Sequence, residues 1–290
     1  MKPAAFDYVR ADTRRQVVEL LAEYGQDARI IAGGQSLMAV LNMRLAQPKL
    51  LIDINHVAEL DYIERRKDCL AVGAGVRQAQ LLARSSLMDE VPLLALAMPW
   101  IGHFQTRNRG TVCGSVAHAD PSAELPLCLV TLGGEIVLES KKGQRIVKAG
   151  DFFQGILTTD KRADELVVEV RFPLKREGIT YRFREIAMRH GDFAIVSLAA
   201  AIGTDQVELG IGGLDKSGIA ELTFPGRAGS AKKDKNTAKK EKKDKKSPKE
   251  HKKGRAKERD TRRERSDSRK RSRHRDKDKR RSGGLRRPPM

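Results

Sequence analysis

The chain has 290 residues, with 57 lysines and arginines against 38 aspartates and glutamates, for a formal net charge of +19. Residues 231–290 hold 29 basic and 10 acidic side chains, so the whole excess lies there and residues 1–230 are electrically neutral. Because no run of about 18 apolar residues occurs, a membrane-spanning helix is excluded. The first residues lack the apolar stretch of a signal peptide, so we expect a cytoplasmic protein.

The cysteines exclude most metal chemistry built from this chain. Cys69, Cys113 and Cys128 are an odd number and contain no CxxC pair. A disulfide framework, a zinc site or an iron–sulfur site formed by this chain alone is therefore not expected. We expect reduced, packed thiols, and any redox metal would lie on another chain.

In residues 1–230, short apolar runs alternate with amphipathic stretches, which predicts mixed helices and strands. Predicted helices are 14–24 with Thr13 as its cap, 37–45 with Ser36 as its cap, 78–83, 92–98 and 124–132. Predicted strands are 29–32, 49–54, 69–72, 135–139, 144–148, 165–172, 181–187 and 206–211. The segment 193–202 is apolar throughout, so its pattern leaves helix and strand open.

Two Gly-rich turns are the strongest chemical signal, Ala-Gly-Gly-Gln-Ser at 32–36 and Thr-Val-Cys-Gly-Ser at 111–115. Glycine lets backbone N–H groups approach a ligand, and a helix start adds partial positive charge, so the pair could hold a pyrophosphate. A single Gly-Gly turn is more often only a turn. Neither segment is a Rossmann fingerprint or a P-loop, and no Gly-Lys-Ser/Thr follows either of them. A third Gly-containing segment, 73–78, also fails the Rossmann GxGxxG pattern, because Gln78 stands where the third glycine is required.

Six separated segments carry a family resemblance. They are Phe-Asp-Tyr at 6–8, Ala-Gly-Gly-Gln-Ser-Leu at 32–37, Leu-Ile-Asp-Ile at 51–54, Val-Gly-Ala-Gly at 72–75, Thr-Val-Cys-Gly-Ser-Val-Ala-His-Ala-Asp-Pro at 111–121 and Arg-His-Gly-Asp-Phe-Ala at 189–194. Their order and spacing resemble the FAD-binding medium subunit of molybdenum hydroxylases, the carbon monoxide dehydrogenase and xanthine dehydrogenase group. The resemblance covers about residues 1–220 and departs at Cys113 and Ser115, where the family usually has Gly and Asn.

This resemblance implies an FAD site without catalytic or metal-ligating residues on this chain. The segment that would wrap the diphosphate and adenosine side comprises Arg29, Ile30, Ile31, Ala32, Gly33, Gly34, Gln35 and Ser36. The segment that would bind the diphosphate from the opposite side comprises Thr111, Val112, Cys113, Gly114 and Ser115. The remaining implied contacts are Ile101 in the cleft, Glu124 at the flavin nucleotide, and Leu166 and Arg184 at the isoalloxazine end.

The resemblance also implies a fold, partners and a function. The fold is α+β, a two-subdomain FAD-binding fold of the para-cresol methylhydroxylase type with a truncated C-terminal α/β lobe. The implied divisions are 1–55, 56–175 and 176–225, and the basic tail at 226–290 is expected to be disordered because it contains too few apolar residues to form a core. A large partner subunit would hold molybdopterin and a small one two [2Fe–2S] clusters, whose electrons would pass through FAD here to an external acceptor. Because the family's closing helices are missing, we expect the C-terminal lobe to be destabilised or partner-dependent.

The basic tail supports alternative hypotheses. Its Lys-rich half precedes an Arg/Ser-rich half, which resembles tails of nuclear RNA-processing proteins and predicts phosphate-driven, salt-sensitive binding of nucleic acid. The chain could thus be a nucleic-acid-associated adaptor with a vestigial flavin domain. Alternatively the tail is only solvated, or was joined by gene fusion or a misassembled reading frame. A free-standing flavin oxidase is a third function.

Overall fold

The structure, a computed structural model, describes residues 2–215 and 218–225, all within one compact unit, Met1–Lys232. The basic tail predicted at 226–290 lies outside the described residues. In the described part of the chain, no helix is long and apolar enough to cross a membrane.

Helices and strands are interspersed up to Pro173, and in the described residues beyond it, up to Pro225, only strands follow. The α-helices are α1 Arg14–Tyr24, α2 Leu37–Asn42, α3 Gln78–Leu82, α4 Leu87–Glu90, α5 Pro92–Ala97, α6 Phe104–Arg109, α7 Val112–His118, α8 Glu124–Thr131 and α9 Ala149–Phe152. The strands are β1 Asp7–Arg10, β2 Ala28–Ile31, β3 Leu50–Asp53, β4 Ile63–Arg65, β5 Cys69–Gly73, β6 Glu135–Ser140, β7 Gly143–Lys148, β8 Phe153–Gly155, β9 Thr158–Thr159, β10 Leu166–Pro173, β11 Thr180–Ala187, β12 Ala194–Ile202, β13 Gln206–Asp215 and β14 Gly218–Pro225.

The first sheet is a small parallel one in the order β1-β3-β2. Helix α1 connects its first two strands along the chain, and it begins and ends where the sequence predicts. The Thr13 hydroxyl accepts a hydrogen bond from Gln16 N at 3.2 Å, and Gly25 ends the helix with φ +51°. Parallel pairing places the ends of β2 and β3 at one edge of the sheet, which is where the first Gly-rich turn begins.

The second sheet is antiparallel throughout and has the strand order β4-β5-β10-β6-β7. Its central strand carries the buried carboxylate Glu169, which accepts hydrogen bonds from Tyr62 at 2.6 Å, from Arg66 at 2.7 and 2.8 Å, and from Arg171 at 2.6 Å. Burial alone would raise the pKa of Glu169, but these donors outweigh it and lower the pKa. The middle of the sheet is therefore held by a fully compensated charge.

The third sheet is an antiparallel meander, β11-β12-β13-β14. One face of this sheet packs closely on α8. The closeness is seen at Gly210, where an added Cβ would lie only 2.8 Å from the Leu127 side chain. The ambiguous segment 193–202 is a strand, β12, paired on both edges. The predicted C-terminal α/β lobe contains strands alone in its described part, 176–215 and 218–225.

Two local predictions were wrong. Ser36 does not cap α2, because its own backbone is already helical at φ −93° and ψ −45° and its hydroxyl makes no capping bond. Helix α2 ends at Asn42, which leaves Leu45 outside it and 70 % exposed. The short helices α4, α6 and α9 were not predicted. Each of the three larger sheets falls inside one of the predicted divisions 1–55, 56–175 and 176–225, and that division stays a prediction.

Candidate cofactor site

A cavity of about 900 Å³ lies beside the carboxyl-end edge of the first sheet. Its wall combines the turn after β2, the start of α7 and the loop before β10. Residues 191–193, just before β12, complete it. This volume is at the upper end of the range of about 300–1,000 Å³ for small-molecule sites, so it suits a dinucleotide rather than a small metabolite.

Fourteen of the seventeen predicted contact residues line this cavity. They are Arg29, Ile30, Ala32, Gly33, Gly34, Gln35, Ser36, Ile101, Thr111, Cys113, Gly114, Ser115, Glu124 and Leu166. The other three, Ile31, Val112 and Arg184, are not part of its wall. Val112 is fully buried in the core, and Arg184 is exposed on β11. Their assignment as cofactor contacts stays a prediction.

Gly33 holds the first Gly-rich turn against the connection between α6 and α7. A Cβ at this position would lie 2.7 Å from Gly110 Cα and would overlap the Arg109 carbonyl oxygen. The next residue, Gly34, has φ +71°, a conformation that other residues rarely adopt. Backbone therefore packs on backbone here, so Gly33 is needed for contact within the protein, whereas the sequence led us to expect close approach to a ligand.

The second Gly-rich segment is not a turn, as the sequence predicted, but the first turn of helix α7. The Thr111 hydroxyl caps this helix by accepting a hydrogen bond from Gly114 N at 3.1 Å. The Cys113 thiol points into the core, where it donates to the Val72 carbonyl oxygen at 3.4 Å. A side chain at position 113 thus does not block the cavity, although the family usually has glycine there.

A chain of hydrogen bonds that starts at Asp53 fixes the Arg109 backbone against which Gly33 packs. Asp53, at the end of β3, accepts from Asn55 N at 2.8 Å and from Asn55 Nδ2 at 2.6 Å. Arg77 then donates to Asn55 Oδ1 at 2.5 Å and to the Arg109 carbonyl oxygen. The carbonyl that packs on the glycine turn is therefore held in place by a side chain tied to the first sheet.

Two buried carboxyl groups near the cavity lack cationic partners in the part of the chain that the structure describes. Glu124 begins α8 and lines the cavity, and burial, with the nearby charges of Glu185 and Asp120, raises its pKa to about 8. Burial also raises the pKa of Glu185 to about 7. Among described residues, neither oxygen of Glu185 has a hydrogen-bond partner, nor has the hydroxyl of Ser197 opposite it on β12. Glu124 is thus mostly protonated at neutral pH and can donate a hydrogen bond into the cavity.

Lys161 and Gln78 are among the polar wall residues that sequence reasoning missed. Lys161 lies in the loop before β10 and donates to the carbonyl oxygens of Arg162 at 2.9 Å and Glu165 at 3.0 Å. Gln78 begins α3, and its buried Oε1 has no partner among described residues. No motif marks a lysine in a polar loop, and Gln78 attracted notice only as a departure from the Rossmann pattern.

The comparison with known families decides what this cavity belongs to. The family model described as "FAD binding domain in molybdopterin dehydrogenase" matches residues 4–175, more than half of the chain. The chain belongs to this family. The predicted family, the α+β fold class, FAD as the cofactor and membership of the oxidoreductases are thereby confirmed.

Individual relatives agree with this family. Caffeine dehydrogenase subunit beta from Pseudomonas sp. (strain CBB1) is 38 % identical over 207 residues, which cover 71 % of this chain and 70 % of the relative. The carbon monoxide dehydrogenase medium chain of Hydrogenophaga pseudoflava is 34 % identical over 202 residues, 70 % of each chain. These names describe subunits of larger enzymes.

Solved structures show the same fold. A chain of carbon monoxide dehydrogenase from Hydrogenophaga pseudoflava, in a form that lacks the Mo-pyranopterin moiety, superposes with a TM-score of 0.73 at 31 % identity, covering 76 % of this chain and 78 % of that one. Quinoline 2-oxidoreductase from Pseudomonas putida 86 gives 0.72 at 36 % identity with the same coverage.

The residues of the cavity fit FAD. The protonated Glu124 carboxyl and the unpartnered Gln78 Oε1 offer a donor and an acceptor to a polar ligand. Arg29 and Lys161 offer positive charge to a diphosphate, and apolar side chains such as Ile101 and Leu166 offer surface to a flat ring system.

Replacing Gly33 with alanine should disrupt the cavity. Its methyl group has no space against the Arg109 and Gly110 backbone, so we expect a loss of about 2–4 kcal/mol in the free energy of unfolding and substoichiometric FAD. Gly150→Ala, whose Cβ would meet nothing within 4 Å, is the matched control and should leave both unchanged. Chemical denaturation and flavin absorbance per chain measure the two effects, and equal behaviour of the two variants would contradict the role of Gly33.

Replacing Glu185 with glutamine should change stability in one pH range. Because the folded-state pKa is raised to about 7 from 4.5, the wild-type chain loses stability as the pH rises from about 4.5 to about 7. Glu185→Gln removes that loss. The free energy of unfolding of the variant should therefore exceed that of wild type by about 2 kcal/mol at pH 8, with no such gain at pH 4.5. Thermal melting across pH measures this, with exposed Glu19→Gln as the control, and a gain independent of pH would refute it.

Proposed function

We propose that this chain is the FAD-binding electron-transfer subunit of a molybdenum-containing hydroxylase or dehydrogenase. A large partner subunit would hydroxylate the substrate at a molybdopterin centre, and a small partner subunit would carry the electrons through [2Fe–2S] clusters. FAD on this chain would receive them and deliver them to an external acceptor. The observation that carries the proposal is a cavity of dinucleotide size, lined mostly by the family-matched residues 4–175 and completed by residues 191–193.

The division of labour follows from the residues of the cavity wall. FAD supplies the electron-carrying chemistry, and the chain binds, orients and shields it. In the proposal the segments 32–36 and 111–115 hold the diphosphate, while Ile101 and Leu166 exclude water from the flavin. The Glu124 carboxyl keeps its proton at neutral pH because burial raises its pKa to about 8, and it donates a hydrogen bond to the nucleotide.

The need for partner chains is supported by what the described residues offer. No group of three or more His, Cys, Asp or Glu side chains in residues 2–215 and 218–225 could hold a metal ion. In this proposal the clusters and the molybdenum therefore sit on other chains. The free thiols of Cys69, Cys113 and Cys128 fit a reducing compartment, and we place the protein in the cytoplasm.

Non-specific nucleic-acid binding stays a separate proposal for the tail. It is supported by the charge of residues 231–290, which hold 29 basic and 10 acidic side chains. Such binding would weaken steeply with salt and would show no sequence preference, since the tail has no aromatic residue for base stacking.

Electron delivery by partners is tested by rapid mixing of the assembled complex with its substrate. The chain is produced with the products of its neighbouring genes, and iron–sulfur and flavin absorbance are followed together. We expect both absorbances to bleach in the complex, and the flavin absorbance to stay unchanged when the same substrate meets the isolated yellow chain. Reduction of flavin in the isolated chain would identify a free-standing oxidase, and reduced clusters beside a permanently oxidised flavin would contradict the relay.

A further inference from the structure

The loop 160–165, between β9 and β10, is unusually well fixed for a connection on the cavity wall. Arg145 from β7 donates to the Asp160 side chain at 2.5 Å and to the Asp160 carbonyl oxygen at 2.7 Å. The same guanidinium binds both carboxylate oxygens of the buried Glu165, at 2.6 and 2.8 Å. One arginine thus ties both ends of the loop, and such bidentate pairs hold geometry as well as charge.

This loop presents Lys161 to the cavity in a defined position. Its ammonium group donates to the carbonyl oxygens of Arg162 and Glu165, at 2.9 and 3.0 Å. A lysine ammonium has three donors, so one remains for a ligand. The Glu165 carboxylate is already committed to Arg145, and Lys161 forms no ion pair with another described residue. The cation is therefore anchored without being neutralised.

A second cation of the same kind lines the same cavity. Arg29 on β2 donates through Nη1 to the carbonyl oxygens of Gln26 at 2.9 Å and Ala28 at 2.8 Å, and it too forms no ion pair within the described residues. Burial lowers the pKa of Lys161, and the charge of Arg29 lowers it further. The charges of Glu165 and Asp164 act in the opposite direction but do not cancel this effect. Two like charges at one partly dry wall repel each other, and an anion between them would remove that cost.

We propose that Lys161 and Arg29 form an anion-binding pair that holds the diphosphate of the cofactor. The diphosphate is the only anionic part of FAD, and its two phosphate charges match the two cations in number. Arg29 belongs to the first sheet and Lys161 to a loop of the second, so the bound diphosphate ties the two together. This inference rests on the proposed function, and it adds side-chain charge to the backbone donors of the Gly-rich segments.

The test is calorimetric titration of the flavin-free, full-length chain with FAD, ADP and adenosine. Lys161→Met should weaken FAD and ADP by roughly 10- to 100-fold, as expected for a lost charge-assisted hydrogen bond, and leave adenosine unchanged. Arg29→Met should act in the same direction. Lys148→Met, which removes an exposed lysine outside the cavity, is the matched control and should bind all three like wild type. Lys161→Gln, which keeps a donor for the loop carbonyls, serves if the methionine variant does not fold.

The outcomes separate this inference from the proposed function. Unchanged ADP affinity in both Lys161 variants, or an equal loss for ADP and adenosine, overturns the anion pair while FAD binding stands. ADP binding that depends on Lys161, in a chain that does not bind FAD, supports the pair and defeats the proposed function. A wild-type chain that binds neither nucleotide overturns both.

Discussion

One wall of the cavity contains a contact between two pieces of backbone that leaves no room for a side chain. Gly33, after the first sheet, lies directly against Arg109 and Gly110, which lead into helix α7. That contact joins the turn after β2 to the connection between α6 and α7, and both lie at the cavity. The chain of hydrogen bonds from Asp53 to the Arg109 carbonyl holds the junction, so the fold and the site share a single constraint.

Charge is handled differently at the cavity and away from it. Elsewhere each buried glutamate meets arginine: Glu90 binds Arg84 at 2.6 and 2.8 Å, Glu165 binds Arg145, and Glu169 binds Arg66 and Arg171. At the cavity and behind it, Glu124 and Glu185 have no cation among the described residues, and Lys161 and Arg29 have no carboxylate. A local group of charged side chains without partners of opposite charge is typical of a ligand site.

Much of this was readable from the sequence, because its strongest signals are local. Thr13 and Gly25 bound α1 as predicted, since capping depends on neighbours only. The prediction that both Gly-rich segments lie at a ligand site agrees with the cavity, which both of them line. The predicted local structure was wrong, because Gly33 packs on protein backbone and residues 112–115 are helical. The placement of Lys161 at the cavity and the nearness of the Glu124 and Glu185 charges depend on contacts between elements distant in sequence, and no periodicity reports such contacts.

The +19 charge, which dominates the composition, says nothing about this site, because the excess lies in residues 231–290 and the cavity is built from the neutral part. The central claim is that the neutral part holds one FAD. Its most direct test is equilibrium titration of the flavin-free chain with FAD, followed by flavin fluorescence. The account predicts saturation at one FAD per chain, unchanged when residues 231–290 are removed by proteolysis after binding. Absence of saturable binding, or binding lost with those residues, would contradict it.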